Sequence, residues 1–424
     1  MRKYDWIIHG GRVLDPAQDR DELSDIAVKD GRISSIAPRL DPSEADASFD
    51  AAGHIVTPGL VDLHVHGYHL ATPLGVPVDR YCLGRGVTTA VDAGSAGFST
   101  YPGLRGYAID HFRTRLLAFL NISCTGLSFS TLGGHPRIPG ELESLKLVDT
   151  QGCVACIEAD REVIVGVKVR LSSNLANQGR NEAEAFRRAM EAARVVRMPL
   201  MVHHTSSSVP LEDCPGKMLP GDIYTHCYHG YPSSVIDPTT RKVSPAVKAA
   251  RENGVLFDLG HGVGAFSWTV GELCAREEFW PDIISTDMHS LTCEGPAYDM
   301  ATVMTRLLHL GLSLPEIVRA STTTPARAIG WGDRIGTLEI GREADISVFS
   351  LQPVDLDLED CQFQMRRIRH RLEARAVWKG GQRVELTHPL QWPNPDTIRS
   401  QRATWSRLEI HDSAPPAAAD RESA

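Results

Sequence analysis

Two histidines, His64 and His66, end the apolar run Thr57-Pro58-Gly59-Leu60-Val61-Asp62-Leu63-His64-Val65-His66-Gly67. On a strand, residues i and i+2 project from one side. Two imidazoles so placed at a strand end can hold one metal ion, or they can form a hydrogen-bonded pair. Four more chemistry-bearing residues end or interrupt apolar runs farther along the chain. Lys168 lies within Val163-Ile164-Val165-Gly166-Val167-Lys168-Val169-Arg170, and His203 follows Pro199-Leu200-Met201-Val202. His226 follows Ile223-Tyr224-Thr225, and Asp287 follows Ile283-Ile284-Ser285-Thr286. A lysine in an apolar run is costly to bury as an ammonium. A neutral amine reacts with carbon dioxide to give a carbamate, an anion whose two oxygens can bridge two cations. The other reading of Lys168 is an ion-paired or snorkelling side chain. His204 faces the opposite way from His203 and reads as structural.

The elements that must position these residues form a regular series. Eight strand-like runs alternate with helical segments: 59–66, 87–92, 116–122, 164–171, 200–204, 223–226, 255–259 and 282–287. Helices are expected at 182–197, stopped by Met198-Pro199, at 245–252, stopped by Asn253-Gly254, and at 296–310, stopped by Gly311. This is the count and size of a (β/α)8 TIM-like barrel, whose reactive side chains sit at the carboxyl ends of the strands. A doubly wound open sheet is the competing fold, but no Gly-x-Gly-x-x-Gly turn follows an early strand. Before the barrel, residues 4–56 read as β: a strand at 6–9, a turn at Gly10-Gly11, a strand at 12–14, and a hairpin about Asp30-Gly31. After about Gly332, strands are expected at 336–338, 344–349 and 373–379, with a turn at Gly380-Gly381. The expected organisation is therefore a small β-sandwich domain from 1–56 plus 332–390, a barrel over 57–331, and a C-terminal extension at 391–424 whose last part, 408–424, reads as disordered.

With 424 residues, 42% hydrophobic, the chain can bury a large core. Its net charge is -9 and it has no basic run, which argues against nucleic acid or an anionic membrane as partner. Its nine cysteines are scattered. Cys153-Val154-Ala155-Cys156 has C-x-x-C spacing but no matching second pair, so reduced thiols are the simpler reading. The N-terminus lacks the apolar core of a signal peptide, and no run is long enough to span a bilayer. The expectation is a cytoplasmic protein acting on a small molecule; a homo-oligomer is compatible with the sequence.

The order His-x-His, Lys, His, His, Asp on successive strands resembles the amidohydrolase superfamily, over nearly the whole chain. The run 56–66 is similar to its opening signature and Gly341-Arg342-Glu343-Ala344-Asp345-Ile346 to its closing one. Finer stretches resemble the amidohydrolase/deacetylase group related to acetyl-(R)-mandelate deacetylases, often labelled dihydroorotase-like. They are 86–97, Lys168-Val169-Arg170, Thr225-His226-Cys227, 257–262 and 284–289. The resemblance implies two divalent metal ions, with zinc the default. His64, His66 and Asp287 would hold one, and His203 and His226 the other. Lys168 would bridge them as N6-carboxylysine. It also implies hydrolysis of an amide or ester acyl bond, with Asp287 moving the proton. The implied substrate is a small N-acetyl amino acid or O-acetyl hydroxy acid. A cyclic-amide hydrolase of the dihydroorotase or hydantoinase type is the alternative. Dihydroorotases carry arginine two residues past the second histidine, where this chain has Tyr68. Arg170, Tyr68 and His261 are the candidate substrate contacts, with an ion-paired Arg170 as the competing reading. His229, Tyr231 and His289 lie just past strand ends and are weaker candidates.

Overall fold

The computed structural model describes residues 2–128 and 139–395. The apolar runs form a seven-stranded parallel sheet in which neighbours in space are neighbours in sequence. Its strands are Leu60–Val65 (β1), Val87–Gly97 (β2), Arg115–Asn121 (β3), Ile164–Leu171 (β4), Leu200–His204 (β5), Ile223–Thr225 (β6) and Leu256–Asp258 (β7). Helices at Glu182–Val196 and Pro245–Glu252 match the sequence reading. The third begins at Met300, where the Asp299 carboxylate caps Thr302 N–H, rather than at Pro296.

Alternation along the strands sorts side chains into two layers. Val61, Leu63, Val91, Ala93, Leu117, Phe119, Val165, Met201, Ile223 and Ile283 pack on one another inside the curled sheet. Val167, Val169, Leu171, Leu200 and Val202 face outward, where Ala185, Phe186, Ala189 and Val196 of the covering helix meet them. The inner layer ends partway up each strand. Above it the inward positions carry Lys168, Arg170, His203 and Thr225. In β1 the pairing register shifts between Asp62 and Val65, so Leu63 packs inside while Val65 joins the outer layer. The irregularity turns His64, and not its neighbour, into the mouth.

Residues 282–287 do not form the regular eighth strand expected. Ile283 bridges Asp258 of β7 and Met288 bridges Val65 of β1. Between them, Thr286 N–H and Oγ1 donate to the Asp62 carboxylate at 3.1 and 2.5 Å instead of to a backbone ladder. A side chain has taken the place of the strand partner. The segment nonetheless joins both sheet edges, through His66 N–H to Met288 O and Leu259 N–H to Ile283 O, each 2.9 Å or shorter.

The two chain ends build one hydrogen-bonded eight-stranded sheet, separate from the parallel one. Residues Tyr4–Asp15, Arg20–Lys29, Arg32–Ala37, Ala45–Asp50 and Ile55–Pro58 pair with Ile346–Glu359, Met365–Lys379 and Gln382–Arg383. Asp30 and Gly31 both have positive φ, as the expected hairpin turn requires. Gly10-Gly11 is not a turn: the strand runs through it with a bulge, where Gly10 takes a φ of 76° and a Cβ on Gly11 would lie 2.6 Å from Val56 Cγ2. Residues 336–338 are not a strand, although Leu338 is buried in the core of this sheet. The hairpin 346–379 is far longer than expected. Its tip reaches the barrel, where Asp360 accepts from Trp268 N–H and Cys361 N–H donates to Phe266 O. Of the extension expected at 391–424, residues 396–424 lie outside the described residues. Among the described residues no helix is long and apolar enough to cross a membrane. Cys153 and Cys156 lie on the helix Thr150–Ala159 and, like the other seven cysteines, are free.

Candidate metal centre at the sheet mouth

Six side chains expected as ligands converge at the carboxyl ends of β1, β4, β5 and β6 and at Asp287. His64, His66 and Asp287 offer donor atoms that all lie within 4.8 Å of one another. His66 Nε2 is 3.1 Å and His64 Nε2 is 3.5 Å from Asp287 Oδ1. Lys168 Nζ is 3.4 Å from His64 Nε2. The His226 ring centre is 4.9 Å from that of His64 and 4.3 Å from that of His203.

The tautomers follow from the partners. His226 Nδ1 lies 2.6 Å from Gly260 O, which can only accept, so Nδ1 carries the proton and Nε2 keeps its lone pair. That Nε2 is buried with no hydrogen-bond partner, as is Asp287 Oδ1. His64 Nδ1 lies 2.9 Å from Thr225 Oγ1, and Thr225 spends its only hydrogen on Asp258 Oδ2 at 2.6 Å. Thr225 therefore accepts from His64 Nδ1–H, and His64 Nε2 is free to bind. His66 is held beside it: Nδ1 meets Ser95 Oγ at 2.9 Å, and Ser95 N–H donates to the Asp92 carboxylate at 2.7 Å. His203 Nε2 is taken by Thr205 Oγ1, leaving Nδ1. Burial pushes the His64 and His203 pKa values well down and His226 to about 4, so these rings are neutral donors.

These residues fit a divalent ion. Metal–nitrogen bonds of about 2.0–2.1 Å put tetrahedral donors about 3.3 Å apart, close to the 3.5 and 3.1 Å from His64 and His66 Nε2 to Asp287 Oδ1. A buried carboxylate oxygen and imidazole nitrogen without partners are costly unless something fills the space between them. The backbone is shaped to let the ligands in. A Cβ on Gly262 would come within 2.6 Å of Asp287 Oδ2, and one on Gly94 within 2.7 Å of Lys168 Cγ. His226 and Asp287 themselves adopt φ of 69° and 49°, left-handed conformations that concentrate at functional sites.

Lys168 is wholly buried, and desolvation lowers its amine from 10.5 to about 7. A pocket opens above the ligands, lined by Arg170, Ser172, Leu175, His203, His226, Tyr231 and Asp287 and closed by Val263-Gly264-Ala265. Arg170 faces it but is also paired with the buried carboxylate of Glu141, its Nη2 at 2.9 Å from Oε2. Tyr68 and His261 do not line this pocket. Tyr68 donates to Thr100 O at 3.1 Å, and His261 stacks on Phe266 with ring centres 5.0 Å apart. His204 bonds Tyr224 and Val209 O, a structural role as expected. The sequence reading did not single out Thr225, Ser95, Asp92 or Asp258, which orient the first two histidines. Their signal was position alone, next to or one strand away from the ligands.

The family model described as "Amidohydrolase family" matches residues 55–384. A deacetylase of Agrobacterium fabrum is 33% identical over 355 residues, covering 84% of this chain and 85% of that protein. Among solved structures, one titled a dihydroorotase superposes with a TM-score of 0.82 at 29% identity, over 91% of this chain and 99% of that one. One titled an adenine deaminase gives 0.81 at 29% identity, over 90% and 99%.

Proposed function

The chain belongs to the amidohydrolase family, and from that premise we propose that it is a binuclear metal-dependent hydrolase removing an acetyl group from a small N-acetyl amino acid or O-acetyl hydroxy acid. The observation that carries the reading is the convergence of His64, His66 and Asp287 on one point, with the buried amine of Lys168 in contact and the His203–His226 pair beside it. The bonds of residues 283–288 to β1 and β7 support a closed (β/α)8 barrel over 57–331, with 1–56 and 332–390 as its companion domain. Nine free cysteines support a reducing, cytoplasmic setting.

His64, His66 and Asp287 would hold one ion, His203 and His226 a second, and Lys168 both. Divalent ions, zinc by default, supply a nucleophilic water at neutral pH and polarise a carbonyl. The chain's own residues do the rest. The Lys168 nitrogen attacks carbon dioxide and loses a proton, leaving a carbamate with two ligand oxygens. A pKa near 7 keeps a large share of that amine neutral and nucleophilic. Asp287, at the pocket floor, takes the proton of the attacking water and returns it to the leaving nitrogen or oxygen. Arg170 and Ser172 on the pocket wall are proposed to receive the polar end of the substrate, with Leu175 and Ala265 against its apolar part.

A cyclic-amide hydrolase is the second reading, favoured by the superposition on the structure titled a dihydroorotase. Against it, Tyr68 stands where an arginine would grip a substrate carboxylate, and its hydroxyl is turned to Thr100 O. A panel of acetylated amino and hydroxy acids beside dihydroorotate and hydantoins tests the choice. Acetate release from the first group is expected. Turnover confined to the cyclic amides would overturn the deacetylase assignment.

A further inference from the structure

Five of the buried tyrosines spend their hydroxyls on protein partners. Tyr68 donates to Thr100 O, Tyr101 to Asp160, Tyr228 to Phe279 O and Tyr298 to Glu359, while Tyr224 bonds His204. A buried phenol ordinarily requires such a partner. Tyr231 is 7% exposed, and among the described residues its hydroxyl has no partner; that oxygen is open to the pocket rather than sealed from water. It lines the pocket that His203, His226 and Asp287 floor. Its loop is fixed from within: Tyr231 N–H donates to His229 Nδ1 at 3.1 Å, and Ser234 N–H to Tyr231 O at 2.9 Å.

The strip Gly262-Val263-Gly264 locates this hydroxyl relative to the reacting groups. Gly262 abuts Asp287 Oδ2, while a Cβ on Gly264 would collide with the Tyr231 hydroxyl. Asp287 and Tyr231 both line the one pocket that an acyl group would enter. The neighbouring walls, Leu175, Val263 and Ala265, are apolar and strengthen a hydrogen bond made there.

We infer that Tyr231 is a catalytic residue whose phenol donates a hydrogen bond to the acyl oxygen as that oxygen gains negative charge. The inference rests on the hydrolase reading above. Water oxygen adds to the carbonyl carbon, and the C=O π pair moves onto the acyl oxygen. Tyr231 holds that oxyanion and keeps its own proton. When the pair returns, the C–N or C–O bond breaks, and the leaving atom takes the proton that Asp287 received from the water. Burial raises the Tyr231 pKa, so the donor stays protonated across the working pH range.

The test uses the metal-loaded full chain, the acetylated substrate that the wild type turns over fastest, and its methylphosphonate isostere as a tetrahedral probe. Tyr231→Phe should lower kcat by about 10²–10³-fold, the usual cost of one oxyanion donor. KM and bound metal should change little. Affinity for the phosphonate should fall by a similar factor, and affinity for acetate should not. Gly264→Ala, which pushes the hydroxyl aside without removing it, should reproduce the kcat loss. A Tyr231→Phe protein with wild-type kcat would overturn the role. So would equal losses of phosphonate and acetate affinity, which mark a uniform binding contact. A wild-type protein that releases acetate from no substrate would instead overturn the hydrolase reading, and this inference with it.

Discussion

Replacing Lys168 by methionine separates what the site costs the fold from what it does chemically. The native amine is fully buried, and desolvation brings its pKa from 10.5 to about 7. In the unfolded chain it returns to about 10.4. The native value is the lower one. Between about pH 7 and 10.5 the unfolded chain therefore binds a proton that the native chain does not. Stability of the metal-free protein rises with pH across that window and is lost as pH falls toward 7. At pH 7 the shift corresponds to a destabilisation on the order of 4 kcal/mol. Methionine is similar in size and carries no charge. Metal-free Lys168→Met should therefore resist urea better than metal-free wild type by a few kcal/mol at pH 7, with the gap closing toward pH 10. The same variant should bind metal poorly and be inactive. In Lys168→Ala, a short carboxylic acid added to the buffer should occupy the vacated space and restore part of both metal content and rate. Urea titrations in chelator at the two pH values decide the stability half. A variant no more stable at pH 7, or a gap independent of pH, would refute the neutral-amine argument and leave Lys168 an ordinary ion-paired lysine.

Asp287→Asn keeps an oxygen ligand but cannot accept a proton; with fold and most metal retained, it should lose about 10²-fold or more in kcat, and near wild-type turnover would contradict the proton-transfer role. Thr225→Val removes the hydroxyl between His64 and Asp258. Metal affinity, measured by competition with a chromophoric chelator, should weaken by about 10–100-fold, and an unchanged affinity would show that His64 needs no such support.

Much of the candidate site could be read in the sequence because His64, His66, His203 and His226 sit at or just past strand ends, which are marked by where an apolar run stops. Lys168 was conspicuous because charge inside such a run is costly. What stayed hidden depends on contacts distant in sequence. Nothing in the spacing joins Arg170 to Glu141, a loop residue 29 positions earlier, so the ion-paired and the substrate-binding readings of the guanidinium stayed open and its partner could not be named. His261 read as a pocket residue because it follows β7, but stacking on Phe266 turns its ring aside. The last inward segment read as a strand from its apolar residues, whereas the Asp62 carboxylate replaces its ladder partner. The β hairpin 346–379 was read short although Val354, Leu356 and Leu358 alternate with polar residues as a strand requires; the polar positions across the hairpin are Asp355, Asp357, Arg367 and Arg369. Those residues face one another as exposed ion pairs across the two strands.

The most direct measurement is the metal content of the purified, active chain, followed as ions are stripped and returned. The account predicts close to two divalent ions per chain, activity lost on chelation, and recovery that tracks occupancy of both sites. Full acyl hydrolysis by a preparation carrying no divalent ion, or full activity at one ion per chain, would contradict it.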